Sequence, residues 1–86
     1  MAATEGNTVE ATKPYIIQVD DLDRQAAASA LGDLRRDGIV LDDSYGVVQI
    51  AERTFVARGY LKSKEAEAVA ARDHMQVFAE LGIEPV

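Results

Sequence analysis

Three aspartates stand within four positions in "VDDLDR": Asp20, Asp21 and Asp23, directly after an apolar run. Carboxylates this close together raise the question of a divalent cation, because hard cations are held by several oxygen ligands. A calcium loop of the EF-hand kind needs oxygen ligands at alternating positions, a glycine at the sixth and a glutamate at the twelfth. Counted from Asp21, those two positions hold Ala26 and Gly32, so the pattern fails. An aspartate just ahead of a helix also has a structural use. Its short side chain accepts hydrogen bonds from the orphan N–H groups of the first turn. Asp21 or Asp23 is therefore expected to cap a helix, and no metal ligand set is assigned. "LDDSYG" reads the same way: Asp42, Asp43 and Ser44 suit a turn, and two carboxylates alone are too few for a cation site.

Nucleophilic and acid–base chemistry would have to start from His74, the single histidine. The spacing places it on the apolar face of an expected second helix, with its neighbour Asp73 about 100° around that helix and unable to orient it. Ser29, Ser44 and Ser63 have local explanations in a helix, a turn and a cap. No "GxSxG", "HExxH" or phosphate-binding glycine loop occurs. The chain contains no cysteine, which removes both disulfides and thiolate metal sites. The residues thus predict no catalytic group, no metal and no cofactor, and binding rather than chemistry.

Binding to nucleic acid would need cations and stacking aromatics. Arg58, Tyr60 and Lys62 share one face of a strand and form the basic stripe of the chain, with Arg53 and Lys64 near by. The net charge of −6 opposes that use, and a solvated strand face accounts for the stripe. No stretch approaches the roughly 20 apolar residues of a membrane span. "MAATEGNTVEATK" has neither the basic region nor the apolar core of a secretory signal, which makes a cytoplasmic location the default expectation. The expected partner is a protein, with no nucleic acid and no membrane, and the chain itself a monomer or homodimer.

These residues must be positioned by a small number of elements. "PYIIQV" alternates, with Tyr15, Ile17 and Val19 on one side, and Pro14 marks its start. "LDRQAAASALGDLRRDG" carries Ala27, Ala30, Leu31 and Leu34 at helical spacing, cationic Arg35 and Arg36 in the last turn, and Gly38 as the stop. "IVLDDSYGVVQIA" is β-rich but interrupted: either two short strands flank a turn at residues 42–46, or one long strand carries a bulge there. In "TFVARGYL", Phe55, Ala57, Gly59 and Leu61 alternate with Val56, Arg58, Tyr60 and Lys62. The link "ERT" is short enough for a hairpin. Ser63 is then expected to cap a second helix whose apolar face runs Ala66, Ala70, His74, Val77, Phe78 and Leu81, with Gly82 as its end and "IEPV" left as an edge strand or free tail.

Strand, helix, two or three strands, helix and short strand predict an α+β domain. The expected form is a ferredoxin-like βαββαβ sandwich, an antiparallel sheet with two helices on one face. Residues 1–13 read as a flexible N-terminal tail and 14–86 as a single domain. Its expected core is Ile17, Val19, Leu31, Leu34, Val48, Ile50, Phe55, Ala57, Leu61, Val77, Phe78 and Leu81.

With "PYIIQVDD" as first strand, a helix running into "RRDGIVLDDSY", then "TFVARGYLKSKEAEAV" and a closing "IEPV", residues 14–86 resemble the propeptide-type inhibitors of subtilisin-like serine proteases, including free-standing members without a protease domain. In that family a Phe-Ala-Leu strand leads into a Ser-rich helix start, and the chain ends in a Val-Glu-Pro type of sequence. The departures are Thr54 where the family has glycine, a longer expected second helix, and a small Val86. The resemblance implies that the outer sheet face, with Arg58, Tyr60 and Lys62, packs on surface helices of the protease. It also implies that the C-terminal segment lies along the active-site groove, with Ile83 in a distal apolar subsite, Val86 at the primary specificity pocket, and Glu84 and Pro85 between them. Two other binding roles fit the composition: a generic interaction or dimerising subunit, and an acidic, phage-type inhibitor of a nucleic-acid-binding machine, for which Asp20, Asp21, Asp23, Asp42 and Asp43 would be the contact residues.

Overall fold

The computed structural model of the chain describes residues 11–79. Their order is β1 (Lys13–Asp20), α1 (Arg24–Arg36), β2 (Val40–Leu41), β3 (Val48–Ala51), β4 (Thr54–Leu61), α2 (Ser63–Ala70) and β5 (Met75–Ala79). β1 pairs antiparallel with β4 along its whole length, from Lys13 opposite Leu61 to Asp20 opposite Thr54. Its other edge pairs antiparallel with β5, from Tyr15 opposite Ala79 to Val19 opposite Met75. β2 and β3 both pair with the far edge of β4. The sheet therefore reads β2/β3–β4–β1–β5, the strand order of the expected ferredoxin-like α+β sandwich.

The two expectations for residues 40–51 merge. β2 and β3 are successive pieces of one edge strand, interrupted by an excursion at Asp42–Val47 and irregular again between Gln49 and Ala51, where a bulge leaves Ile50 without a register partner. Gly46, at φ 73°, takes the left-handed turn that returns the chain to the edge. Glu52 and Arg53 form the tight link into β4, with Ala51 opposite Thr54.

Alternation along the strands builds the core. The inner face of the sheet presents Tyr15, Ile17 and Val19 from β1, Phe55, Ala57 and Leu61 from β4, and Met75 and Val77 from β5. Ala27, Leu31 and Leu34 of α1 and Ala66 and Val69 of α2 pack on them. Asp23 is the α1 cap, its carboxylate accepting from the Ala26 N–H at 2.8 Å. At the other end, Gly38 donates to the Arg35 carbonyl and Ile39 to the Leu34 carbonyl, both at 3.0 Å. With Gly38 at φ 92°, this is the Schellman arrangement that closes a helix.

The second half of the chain departs from expectation. The helix expected over 63–81 ends at Ala70, and Met75–Ala79 is a strand. Val77 is accordingly core through the sheet, Phe78 turns to the outer face, and His74 is exposed in the connecting turn at φ 69° rather than packed on a helix. The physical reason is that β1 has an open edge, and the alternation of Met75 and Val77 against Gln76 and Phe78 satisfies its hydrogen bonds while burying two apolar residues. Val48 and Ile50, expected in the core, are 42% and 56% exposed: Val48 stands opposite outward-facing Val56 on an edge strand, and Ile50 lies in the bulge of that edge. The cap position of α2 is Lys62, not Ser63, and its N–H is satisfied by Glu65 Oε1 at 2.8 Å. Leu81 and Gly82 lie outside the described residues.

Candidate docking face

The outer face of the sheet is assembled from the residues that alternate with the core. Three cross-strand rows follow from the register: Val40, Tyr60 and Pro14; Arg58, Ile16 and Phe78; and Val48, Val56, Gln18 and Gln76. Both helices pack on the opposite face, so among the described residues no helix covers these rows. Ile16, Tyr60 and Phe78 are half-buried by their neighbours, and Val56 is only 7% exposed at the centre.

One polar cluster interrupts this apolar surface. Asp42, where β2 leaves the edge, continues the ladder by donating its N–H to the Arg58 carbonyl at 2.8 Å. Its Oδ1 accepts from the Ser44 hydroxyl at 2.6 Å, the Ser44 N–H at 3.0 Å and the Tyr45 N–H at 3.3 Å. Its Oδ2 accepts from Arg58 Nη1 at 2.9 Å and from the Tyr60 hydroxyl at 3.3 Å. Arg58 Nη1 also donates to the Tyr60 hydroxyl at 2.7 Å, and its guanidinium lies over the Tyr60 ring, 5.1 Å from the centroid. The Ser44 hydroxyl first, and then Arg58, hold the Asp42 carboxyl down at about 2. The carboxylate thus ties the edge excursion to the second strand of the face and neutralises the face's arginine.

At the far end of the same face, the Asp20 carboxylate accepts from Gln18 Nε2 and Gln76 Nε2, each at 2.8 Å. The opening aspartates are therefore distributed over three tasks. Asp20 ends β1, and Asp23 caps α1. Asp21 takes the left-handed turn between them at φ 63°, its carboxylate beside Arg53 at 3.4 Å. Among the described residues, no group of three or more acidic or histidine side chains could hold a metal ion.

Of the residues singled out from the sequence, Arg58 and Tyr60 lie together on the outer face, while Lys62 is exposed just beyond it at the start of α2. Ile83, Glu84, Pro85 and Val86 lie outside the described residues. Asp42 belongs to the same cluster, although the sequence suggested only a turn residue. The signal that could have found it is the pairing of an edge carboxylate with a cationic, aromatic strand face two strands of sequence away. His74 Nδ1 lies 3.0 Å from the Asp20 carbonyl, and since a carbonyl only accepts, Nδ1 carries the proton in that contact. Ser44 is bound to Asp42 rather than to an imidazole.

A small cleft of about 170 Å3 opens on the other side of the edge, between Ala28, Leu31, Gly32 and Arg35 of α1 and the 42–47 excursion. Arg35 pairs with Asp43 at 2.6 Å near it. No described helix is long and apolar enough to cross a membrane. Comparison with protein-family models, with curated proteins and with solved structures returned no match.

Proposed function

We propose that this chain is a non-catalytic protein-binding domain that docks its outer sheet face and its C-terminal segment on a subtilisin-type serine protease, as propeptide-type inhibitors do. The observation that supports it is the outer face, which no described helix covers: half-buried Ile16, Tyr60 and Phe78 share it around a buried Val56, and its arginine and aspartates are already hydrogen-bonded within the chain. Such a surface suits burial against an apolar partner, because little charge has to be desolvated unpaired.

Two features of the fold favour the same reading. α2 ends at Ala70, which removes the long second helix that had set the sequence apart from the inhibitor family. β5 fills the fourth position of the sheet, and Ile83, Glu84, Pro85 and Val86 follow it in the sequence by only a few residues. A segment in that place can add to a protease groove as an extended strand.

The test is a titration of subtilisin with the full chain and with a chain lacking Ile83–Val86. Inhibition by the full chain, lost on truncation while the circular dichroism spectrum stays the same, is the expected result. A folded full chain that leaves the protease uninhibited at high micromolar concentration would overturn the reading.

A further inference from the structure

The chain contains one Asp-Gly step, Asp37–Gly38, and no Asn-Gly. At such a step the backbone can attack the preceding side chain, because glycine has no Cβ to shield its nitrogen. The Gly38 nitrogen bonds to Cγ of Asp37, the C–O bond of the carboxyl breaks, and its hydroxyl leaves with the nitrogen's proton as water. The five-membered succinimide then takes up water at either carbonyl. One opening restores aspartate. The other gives isoaspartate, in which the main chain runs through the side chain and is longer by one methylene. Water is the co-reactant throughout, and no oxidant or reductant is consumed.

The fold holds this step where the ring cannot close. Asp37 ends α1 at φ −83° and ψ 4°. At that ψ the Gly38 nitrogen eclipses the Asp37 nitrogen and points away from Cβ, so attack requires rotation about the Cα–C bond. Contacts on both sides oppose the rotation. The Gly38 N–H donates to the Arg35 carbonyl at 3.0 Å, and the Asp37 N–H is shared by the Asp33 and Leu34 carbonyls at 3.1 Å. Ile39, which follows, is buried and donates to the Leu34 carbonyl at 3.0 Å. The carboxylate itself is clasped by the Arg72 guanidinium, from the turn after α2. Arg72 is in turn fixed by its own N–H, which donates to the Val69 carbonyl at 3.0 Å. The backbone bonds belong to any helix that closes this way, whereas the clasp joins two segments 35 residues apart and keeps the carboxyl from turning back to Gly38. We propose that Asp37–Gly38 is an isomerisation site of this chain, closed in the fold by the Arg72 clasp and opened when the clasp or the fold is lost. An added methylene there would move Gly38 and Ile39 off the Arg35 and Leu34 carbonyls, so a chain isomerised while unfolded does not regain its helix stop. This inference does not depend on the protease reading.

The test is the rate at which isoaspartate accumulates in the full chain in warm neutral buffer, located by peptide mapping, with and without concentrated urea. The folded chain should isomerise at Asp37 roughly tenfold or more slowly than the chain in urea, since two or more backbone hydrogen bonds must open first. Arg72→Ala should raise the folded rate about two- to fivefold, the share of a partly exposed ion pair, and leave the rate in urea unchanged. Arg72→Gln, which keeps most of the side chain without the charge, should do the same. Arg53→Ala removes the comparable exposed pair with Asp21 and should have no effect. Circular dichroism checks that each variant is folded. Equal rates with and without urea overturn the inference. So do folded Arg72 variants that isomerise no faster than the natural chain, an equal acceleration in Arg53→Ala, or isoaspartate that forms in urea at other aspartates and not at Asp37.

Discussion

Two phenylalanines on different faces of the sheet give the sharpest test of the fold. Phe55 is 1% exposed on the inner face of β4, opposite Val19, with the Arg24 guanidinium 5.6 Å from its ring centroid. Phe55→Ala removes a ring from a packed core and leaves a cavity, at a cost of about 3–5 kcal/mol. Phe78 is half-buried on the outer face of β5, opposite Ile16, where water can occupy the vacated space. Phe78→Ala loses a cross-strand pair and part of one side chain's burial, about 1 kcal/mol. A domain of this size has roughly 4–13 kcal/mol of stability in total, so the first change takes a large share of it and the second a small one. In urea, with a slope of about 1 kcal/mol per molar, the Phe78→Ala midpoint falls by about 1 M. Phe55→Ala falls by about 3 M or is unfolded without denaturant. If the two variants lose equally, Phe78 is a core residue and the strand assignment of Met75–Ala79 fails. If Phe55→Ala leaves the midpoint unchanged, the inner face of β4 is wrong.

Further predictions concern single positions. Asp42 is held at about 2 against an ordinary 3.8, and a folded-state value below the unfolded one means that its contribution is complete above the unfolded value and is lost as pH falls through about 2. The difference in urea midpoint between the natural chain and Asp42→Asn should therefore shrink between pH 4 and pH 2. A difference that stays constant across that window would mean the carboxylate is not held by Ser44 and Arg58. Gly59→Ala should destabilise by about 1–3 kcal/mol, since a Cβ there would stand 3.1 Å from Leu61 Cδ1, 3.2 Å from Leu41 Cδ2 and 3.2 Å from the Val40 carbonyl oxygen, which cannot turn aside. Gly32→Ala should do the opposite and raise the melting temperature. It lies inside α1, a Cβ meets nothing within 4 Å, and alanine gains about 0.5–1 kcal/mol over glycine in a helix. A loss of stability in Gly32→Ala would mean that the cleft beside it is tighter than described.

The elements that could be read from the sequence are those whose signal is local. In β1 the alternation of Tyr15, Ile17 and Val19 with Ile16, Gln18 and Asp20 specifies both a strand and its buried face. α1 carries its stripe, its Asp23 cap and its Gly38 stop within its own span. β4 alternates in the same way, and Phe55, Ala57 and Leu61 mark its inner face within the strand's own span. Asp42 was legible only as a turn former. Its partners Arg58 and Tyr60 are 16 and 18 residues away, and only the β2–β4 register brings them to the same carboxylate.

"HMQVFAEL" is the instructive failure. His74, Val77, Phe78 and Leu81 fit a helix and Met75 and Val77 fit a strand, so the pattern itself does not choose. The sequence by itself determined the α+β class, the first helix with both of its ends, the two central strands and their faces, because those properties depend on neighbours a few residues apart. The tertiary structure alone decided that Met75–Ala79 is a strand, that Phe78 and Val48 face outward, that Ile50 is exposed in the edge bulge, and that Asp42 clasps Arg58. Each of these turns on which edge of β1 or β4 stands open to be paired, and an unpaired edge has no local signature.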